Sequence, residues 1–124
     1  MDKKKNFLKT SEEVSKRIIP SMGYCYATDR ITVDGAKIGY MYRENPDQKD
    51  DSGWRFFAGD ENDEYANNPE NLGIYDVNTI AHYDLDIIPF LSSPYGSAFG
   101  RNENGILEEE KFEPPVDDAT GGQL

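Results

Sequence analysis

The stretch Gly53-Trp54-Arg55-Phe56-Phe57-Ala58-Gly59 constrains this chain more than any other. It sets three aromatic residues between two glycines, and acid-rich, apolar-poor segments lie on either side. A short apolar run bounded by turn residues reads as a strand. Alternation puts Trp54, Phe56 and Ala58 on one side, and Arg55 and Phe57 on the other. A strand needs neighbours, and the sequence offers them. Tyr24-Cys25-Tyr26-Ala27-Thr28 is rich in β-forming residues. Lys37 to Arg43 alternates, with Ile38, Tyr40 and Tyr42 on one face and Lys37, Gly39, Met41 and Arg43 on the other. Between these two runs, Asp34-Gly35 suits a two-residue hairpin turn.

Helix signals are shorter. Ser11 to Ile19 can form a short helix, capped by Ser11 and stopped by Pro20. Asp76 is placed to cap a helix beginning at Val77, and a further helical turn fits Asp84 to Ile88 before Pro89. Leu72 to Tyr75 reads as a short extended segment. Ser97-Ala98-Phe99 reads as a last edge strand, followed by a turn at Asn104-Gly105. Strands precede most of the helix and are joined by hairpin-type turns. The expected fold is therefore α+β: a single domain with a mainly antiparallel sheet and short helices on one face. That sheet should contain residues 24–28, 37–43 and 53–58. Residues 1–22 are expected to be a lead with the short helix, 23–107 the folded domain, and 108–124 an acidic, disordered tail.

The 124 residues suit one domain. The net charge of -11 argues against nucleic acid and anionic membrane surfaces as direct partners, because both call for Lys and Arg. The charge is uneven. Residues 1–46 carry nine Lys/Arg and six Asp/Glu, and residues 47–124 carry four and eighteen. An acidic half can steer basic partners; plain solubility is the bland explanation. A single cysteine, Cys25, excludes an intrachain disulfide and fits a reducing, cytoplasmic setting. The basic start is followed by no apolar core of a signal peptide, and no apolar run approaches a membrane span.

Catalytic and metal chemistry find little support. Counted as a calcium loop from Asp60, the sixth position is Tyr65 where Gly is needed, and the twelfth is Asn71 where Glu is needed. One Cys and one His cannot build a structural zinc site. Cys25 and His82 are the one nucleophile–base pair of that kind, and a mid-strand cysteine is ordinarily a small buried hydrophobe. No phosphate-binding glycine loop or Gly-x-Ser-x-Gly elbow appears. The strand at Gly53–Gly59 invites two readings. In the bland one, Trp54 and Phe56 are core and Arg55 pairs with a nearby acid. In the functional one, part of the strand and both flanking loops form a binding surface, since Trp, Tyr and Arg dominate binding hot spots.

Four segments together resemble one bacterial family. They are Ser52-Gly53-Trp54-Arg55-Phe56-Phe57-Ala58-Gly59-Asp60-Glu61; Val33-Asp34-Gly35 with Ile38-Gly39-Tyr40-Met41-Tyr42-Arg43-Glu44; Asn71 to Ile80; and Pro94-Tyr95-Gly96-Ser97-Ala98-Phe99. That family was long catalogued as a domain of unknown function and was later grouped with the immunity proteins of polymorphic toxin systems. The resemblance spans roughly residues 23–100. It implies a protein that binds and neutralises a toxin by occlusion, with no catalytic residues, no cofactor and no metal. The partner would be a protein toxin, and a basic one would be steered by the acidic charge. The oligomeric state is left open. Expected partner-binding residues are Trp54, Arg55, Asp60, Glu61, Asp63, Glu64, Tyr65 and Tyr75, the aromatics as anchors and the acids as field. The alternative is a small-ligand-binding or regulatory domain, which would show a pocket with convergent polar groups.

Overall fold

In the computed structural model, which describes residues 5–112, the chain runs β1 (Tyr24–Thr28), α1 (Asp29–Thr32), β2 (Tyr40–Arg43), β3 (Asp51–Phe57), α2 (Asp63–Ala66), β4 (Leu72–Asp76), α3 (Val77–Tyr83), β5 (Ala98–Arg101) and β6 (Leu107–Glu109). Short 3-10 helices lie at Pro69–Asn71 and Leu85–Phe90. The six strands make one sheet in the order β4-β1-β3-β2-β5-β6, antiparallel throughout except that β1 and β3 run parallel. The α+β architecture with a mainly antiparallel sheet is the one the sequence predicts.

The aromatic strand takes the central place. Trp54 and Phe56 are fully buried and pack with Cys25, Ala27, Met41 and Phe99 from neighbouring strands. Ile31, Val77, Ile80, Ala81 and Ile87 from the helical segments close the same core. The Trp54 indole N–H donates to the Leu91 carbonyl at 3.1 Å, so the ring is buried without an orphaned donor. Phe57 lies on the opposite face with Tyr42 and Ala98, as the alternation requires. Asp76 caps α3 by accepting from the Asn78 N–H at 2.8 Å, and Asp84 caps the next turn through the Asp86 N–H.

Several local expectations fail for physical reasons. Asp34-Gly35 makes no hairpin, because β3 stands between β1 and β2 in the sheet. Gly35, at φ 79°, instead ends α1, with its N–H on the Ile31 carbonyl. Ser11 to Ile19 forms turns, not a helix. So short a helix is marginal alone, and Asn78 takes up backbone groups that a helix would have used. The Asn78 side chain accepts from the Ile18 and Ile19 N–H groups and donates to the Val14 and Lys16 carbonyls. Lys37, Ile38 and Gly39 precede β2 rather than belong to it, and Ile38 joins the main core instead of siding with Tyr40 and Tyr42. The strand at Ala98 is not an edge, since β6 pairs beyond it and takes in Glu108 and Glu109, which were expected to begin the tail. Residues 113–124 of that expected tail lie outside the described residues. The helices are also not confined to one face: Ala66 of α2 packs on the cluster of Tyr42, Phe57 and Ala98.

Candidate functional site

The helices leave the other face of the sheet largely open, and that face is lined with tyrosine. Strand pairing aligns Tyr26 with Ile74 on one side and with Arg55 on the other, then Arg55 with Tyr42. Tyr24 and Tyr40 extend the rows. The Tyr24 and Tyr26 rings meet edge to face at 6.2 Å, and Tyr42 stacks on Phe57 at 5.8 Å. Alternation is the cause: each of these strands places aromatics two residues apart, so they fall on one face. Tyrosine, one of the side chains that rank highest at binding hot spots, thus recurs across this face, with buried Arg55 beneath it.

Arg55 forms the floor. Its guanidinium lies 4.2 Å from the Tyr26 ring centroid and makes a two-pronged contact with Asp51, at 2.9 and 2.8 Å, while its Nε donates to Glu44. Both Arg55 and Asp51 side chains are buried, at 7% and 5% exposure. Burial alone pulls the Asp51 carboxyl upward, but hydrogen bonds from Arg55 and the Gly53 N–H outweigh it and hold it below the usual carboxylate range. Burial likewise works against the Arg55 charge, and the bonds to Asp51 and Glu44 raise its pKa above the ordinary value nonetheless. Burial, reinforced by Glu44, pushes the Tyr42 hydroxyl up, so it stays protonated as a donor and acceptor.

A bulge in β3 builds this arrangement. Between the Tyr24–Asp51 and Tyr26–Arg55 pairs, β1 advances two residues and β3 four. Gly53 absorbs the difference at φ 90°, where a Cβ would sit 2.2 Å from the Glu44 carbonyl oxygen. The Asp51 carboxylate accepts from the Gly53 N–H and the Ser52 hydroxyl oxygen from the Trp54 N–H, each at the turn of the bulge. The kink folds Asp51 back toward Arg55 and sends Trp54 into the core.

The face has two halves. Over β2 and β5 the chain covers it: Phe112 meets Tyr42 edge-on at 5.4 Å, the Tyr40 hydroxyl donates to the Lys111 carbonyl, and Glu110 lies over Gly100. Over β1 and β4 the described residues leave it open. There a groove of about 450 Å³ is lined by Tyr26, Pro69, Leu72, Gly73 and Ile74, and Ile74 is 64% exposed.

The expected binding residues scatter. Trp54 is fully buried and cannot reach a partner; Arg55 is buried too, though it shapes the open face. Tyr75 is turned to the helical side, its hydroxyl 3.3 Å from the Thr32 hydroxyl and its ring under the edge of Phe7. Asp60 pairs with Arg30, whose hydrogen bonds hold its carboxyl below the usual range. Glu61 ties the loop together by accepting from Thr28 Oγ1 and the Ala58 and Gly59 N–H groups. Asp63 and Glu64 are exposed in the first turn of α2, and Tyr65 beside them is half-buried. Only this loop group stays together. Tyr24, Tyr26, Asp51 and Ile74 were not singled out, although Tyr-x-Tyr in two strands was a readable signal.

Chemistry elsewhere is sparse. Cys25 is fully buried, and burial pushes its thiol well up, which disfavours the reactive thiolate. His82 Nε2 instead lies 2.7 Å from the Lys16 carbonyl oxygen. Among the described residues no group of three or more His, Cys, Asp or Glu stands in metal-holding proximity, and no helix is long and apolar enough to cross a membrane.

Among known families, the one described as Immunity protein Imm33 domain matches residues 25–111. No curated protein and no solved structure gives a significant match.

Proposed function

Since this chain belongs to the Imm33 family of immunity protein domains, we propose that it neutralises a protein toxin by binding and occluding it, using the open half of its tyrosine face. The observation that carries this reading is the accessible apolar patch of half-buried Tyr24, Tyr26 and Leu72 and exposed Ile74 set around a fixed Arg55. Rigid aromatics give contact area at low entropic cost, and the Asp51–Arg55–Glu44 network locks the floor before any partner arrives. The acid-rich segment that leads into β4 supplies a field. Residues 60–71 carry Asp60, Glu61, Asp63, Glu64 and Glu70 and no Lys or Arg. That field accelerates encounter with a basic toxin and leaves the lifetime of the complex to the aromatic contacts.

The reading gives the chain no catalytic step and no cofactor, and it places the protein in the cytoplasm, where a toxin entering the cell would be met. The test is binding and growth. The toxin domain encoded beside this chain should form a complex with it and lose its activity when the two are mixed in equal amounts. A neighbouring toxin that neither binds nor is inhibited would remove the reading.

A further inference from the structure

The sheet ends in two edges, and they differ. The β6 edge is only three residues long and carries Glu108 and Glu109, the charged, short build that discourages strand pairing. The β4 edge, Leu72-Gly73-Ile74-Tyr75-Asp76, carries no charge before its last residue. Its outward groups follow from the ladder. The Val77 N–H donates to the Gly23 carbonyl at 3.1 Å, one step beyond the Tyr24–Asp76 pair. Hydrogen-bonded and non-bonded pairs alternate in an antiparallel ladder, so Tyr75 and Gly73 also bond inward to β1. The backbone groups of Leu72, Ile74 and Asp76 therefore face away from β1. The Leu72 N–H closes the 3-10 turn on the Pro69 carbonyl and Asp76 is the cap of α3, which leaves Ile74 as the residue that offers both its N–H and its C=O. The Lys5 ammonium, 3.0 Å from the Leu72 carbonyl oxygen, sits on that outer side as this parity requires. It marks one end of the stretch that the described residues leave open; Ile74 is its centre.

We infer that β4 is a docking edge, on which an extended, basic and apolar segment of the toxin adds as a seventh strand. The inference rests on the immunity reading for the identity of its partner and deepens it by naming the contact. Backbone bonds to Ile74 give the incoming strand its register, and an apolar side chain of that strand fills the groove of Tyr26, Pro69, Leu72 and Ile74. Charge selects the occupant. The acids of residues 60–70 directly precede β4 with no basic residue among them. The cations at the two ends of β4, Lys5 and Arg17, are already paired with Asp29 and Asp76. Apart from Asp60, which Arg30 holds, the exposed acids of this segment keep their charge. A second copy of this chain brings a net charge of -11 to the same place and is repelled, whereas a Lys- or Arg-bearing strand is attracted.

The experiment follows amide hydrogen exchange at Ile74 in the full chain, alone and with the toxin domain encoded beside it. The expected result is slowing of Ile74 exchange by about tenfold or more in the complex, since a new ladder bond must break before exchange. Ile74→Pro removes the outward N–H and leaves the inward ladder intact; it should weaken toxin binding by about tenfold or more, with Ile74→Val close to the unmodified protein. Ile74→Lys serves where the proline variant does not fold, and it should weaken binding through charge repulsion and loss of the apolar contact. A toxin that is bound and inhibited while Ile74 exchange is unchanged overturns the docking edge and leaves immunity standing. Failure of the toxin to bind removes the immunity reading, and a synthetic strand of alternating Val and Lys then judges the edge: slowing of Ile74 exchange by it, and not by a Val and Glu counterpart, supports the edge, and equal or no effect overturns it. Slowing of Ile74 exchange in the protein alone as its concentration rises would assign the edge to a second copy and overturn the proposed occupant.

Discussion

Trp54 and Arg55 are consecutive in β3, yet they serve opposite faces of one sheet. Trp54 enters a core closed by α1, α3 and the turn at Leu85–Phe90, where each polar atom of the ring finds a partner inside the chain. Arg55 enters a face that the described residues close over β2 and β5, while the aromatics Tyr24 and Tyr26 over β1 remain half-buried. The comparison teaches that aromatic content alone does not locate a binding surface. On the helical side aromatics hold the fold together. On the other side a buried ion pair keeps a set of tyrosines in place while leaving them accessible. Predictions for the two faces should therefore separate stability from binding.

The largest effect belongs to the closed face. Trp54→Ala should lower folding stability by about 4 kcal/mol, measured by denaturant unfolding, because it empties a fully enclosed site. Toxin affinity per folded molecule should not change. A large loss of affinity with stability intact would put Trp54 back on the binding surface.

Next comes the ion pair beneath the tyrosines. Asp51→Ala leaves Arg55 buried with Glu44 alone and should cost about 3 kcal/mol, at the low end for a broken buried pair because Glu44 remains. Its pH dependence has a definite sign. The folded-state pKa of Asp51 lies below its unfolded value. Its contribution is thus fully present above the ordinary carboxylate range near about 4 and is lost as pH falls through the lower folded-state value. The difference between the unmodified protein and Asp51→Ala, followed by urea unfolding against pH, should shrink on the acid side only.

Tyr26→Ala should reverse the pattern of Trp54. It removes a half-buried ring and should cost about 1 kcal/mol of stability, but about 2 kcal/mol or more of toxin affinity, seen chiefly as faster dissociation. The smallest effect is expected from Asp63→Asn with Glu64→Gln. Both side chains are exposed on α2, so unfolding should shift by less than about 0.5 kcal/mol. Association with a basic toxin should slow several-fold at low salt and lose part of its salt dependence. Unchanged association at low salt would take these two acids out of the mechanism.

The legible parts of the molecule are those fixed by local pattern. Alternation in Gly53–Gly59 is enough to send Trp54 and Phe56 one way and Phe57 the other, and the Asp76 cap is enough to start α3. The open face was harder to read because it depends on strand order. Tyr24 and Tyr26 become neighbours of Ile74 and Arg55 only once β1 lies between β4 and β3, and no single segment encodes that. The same gap explains the Asp34-Gly35 turn, which has the right residues for a hairpin but no adjacent strand to return to. The bulge was likewise invisible: Ser52-Gly53 looks like a strand boundary, and only the pairing register shows Asp51 folded back onto Arg55. Tyr75 failed as a surface residue for a simpler reason, since its place in the pleat puts it with Cys25 on the helical side.

The most direct test titrates the toxin domain encoded beside this chain with the unmodified protein and with a Tyr26→Ala, Ile74→Lys double variant, reading residual toxin activity. The unmodified protein should inhibit at equal amounts. The double variant, shown by thermal unfolding to be folded, should require about tenfold more protein or worse for the same inhibition. Equal inhibition by the two proteins would contradict the assignment of the open tyrosine face as the neutralising surface.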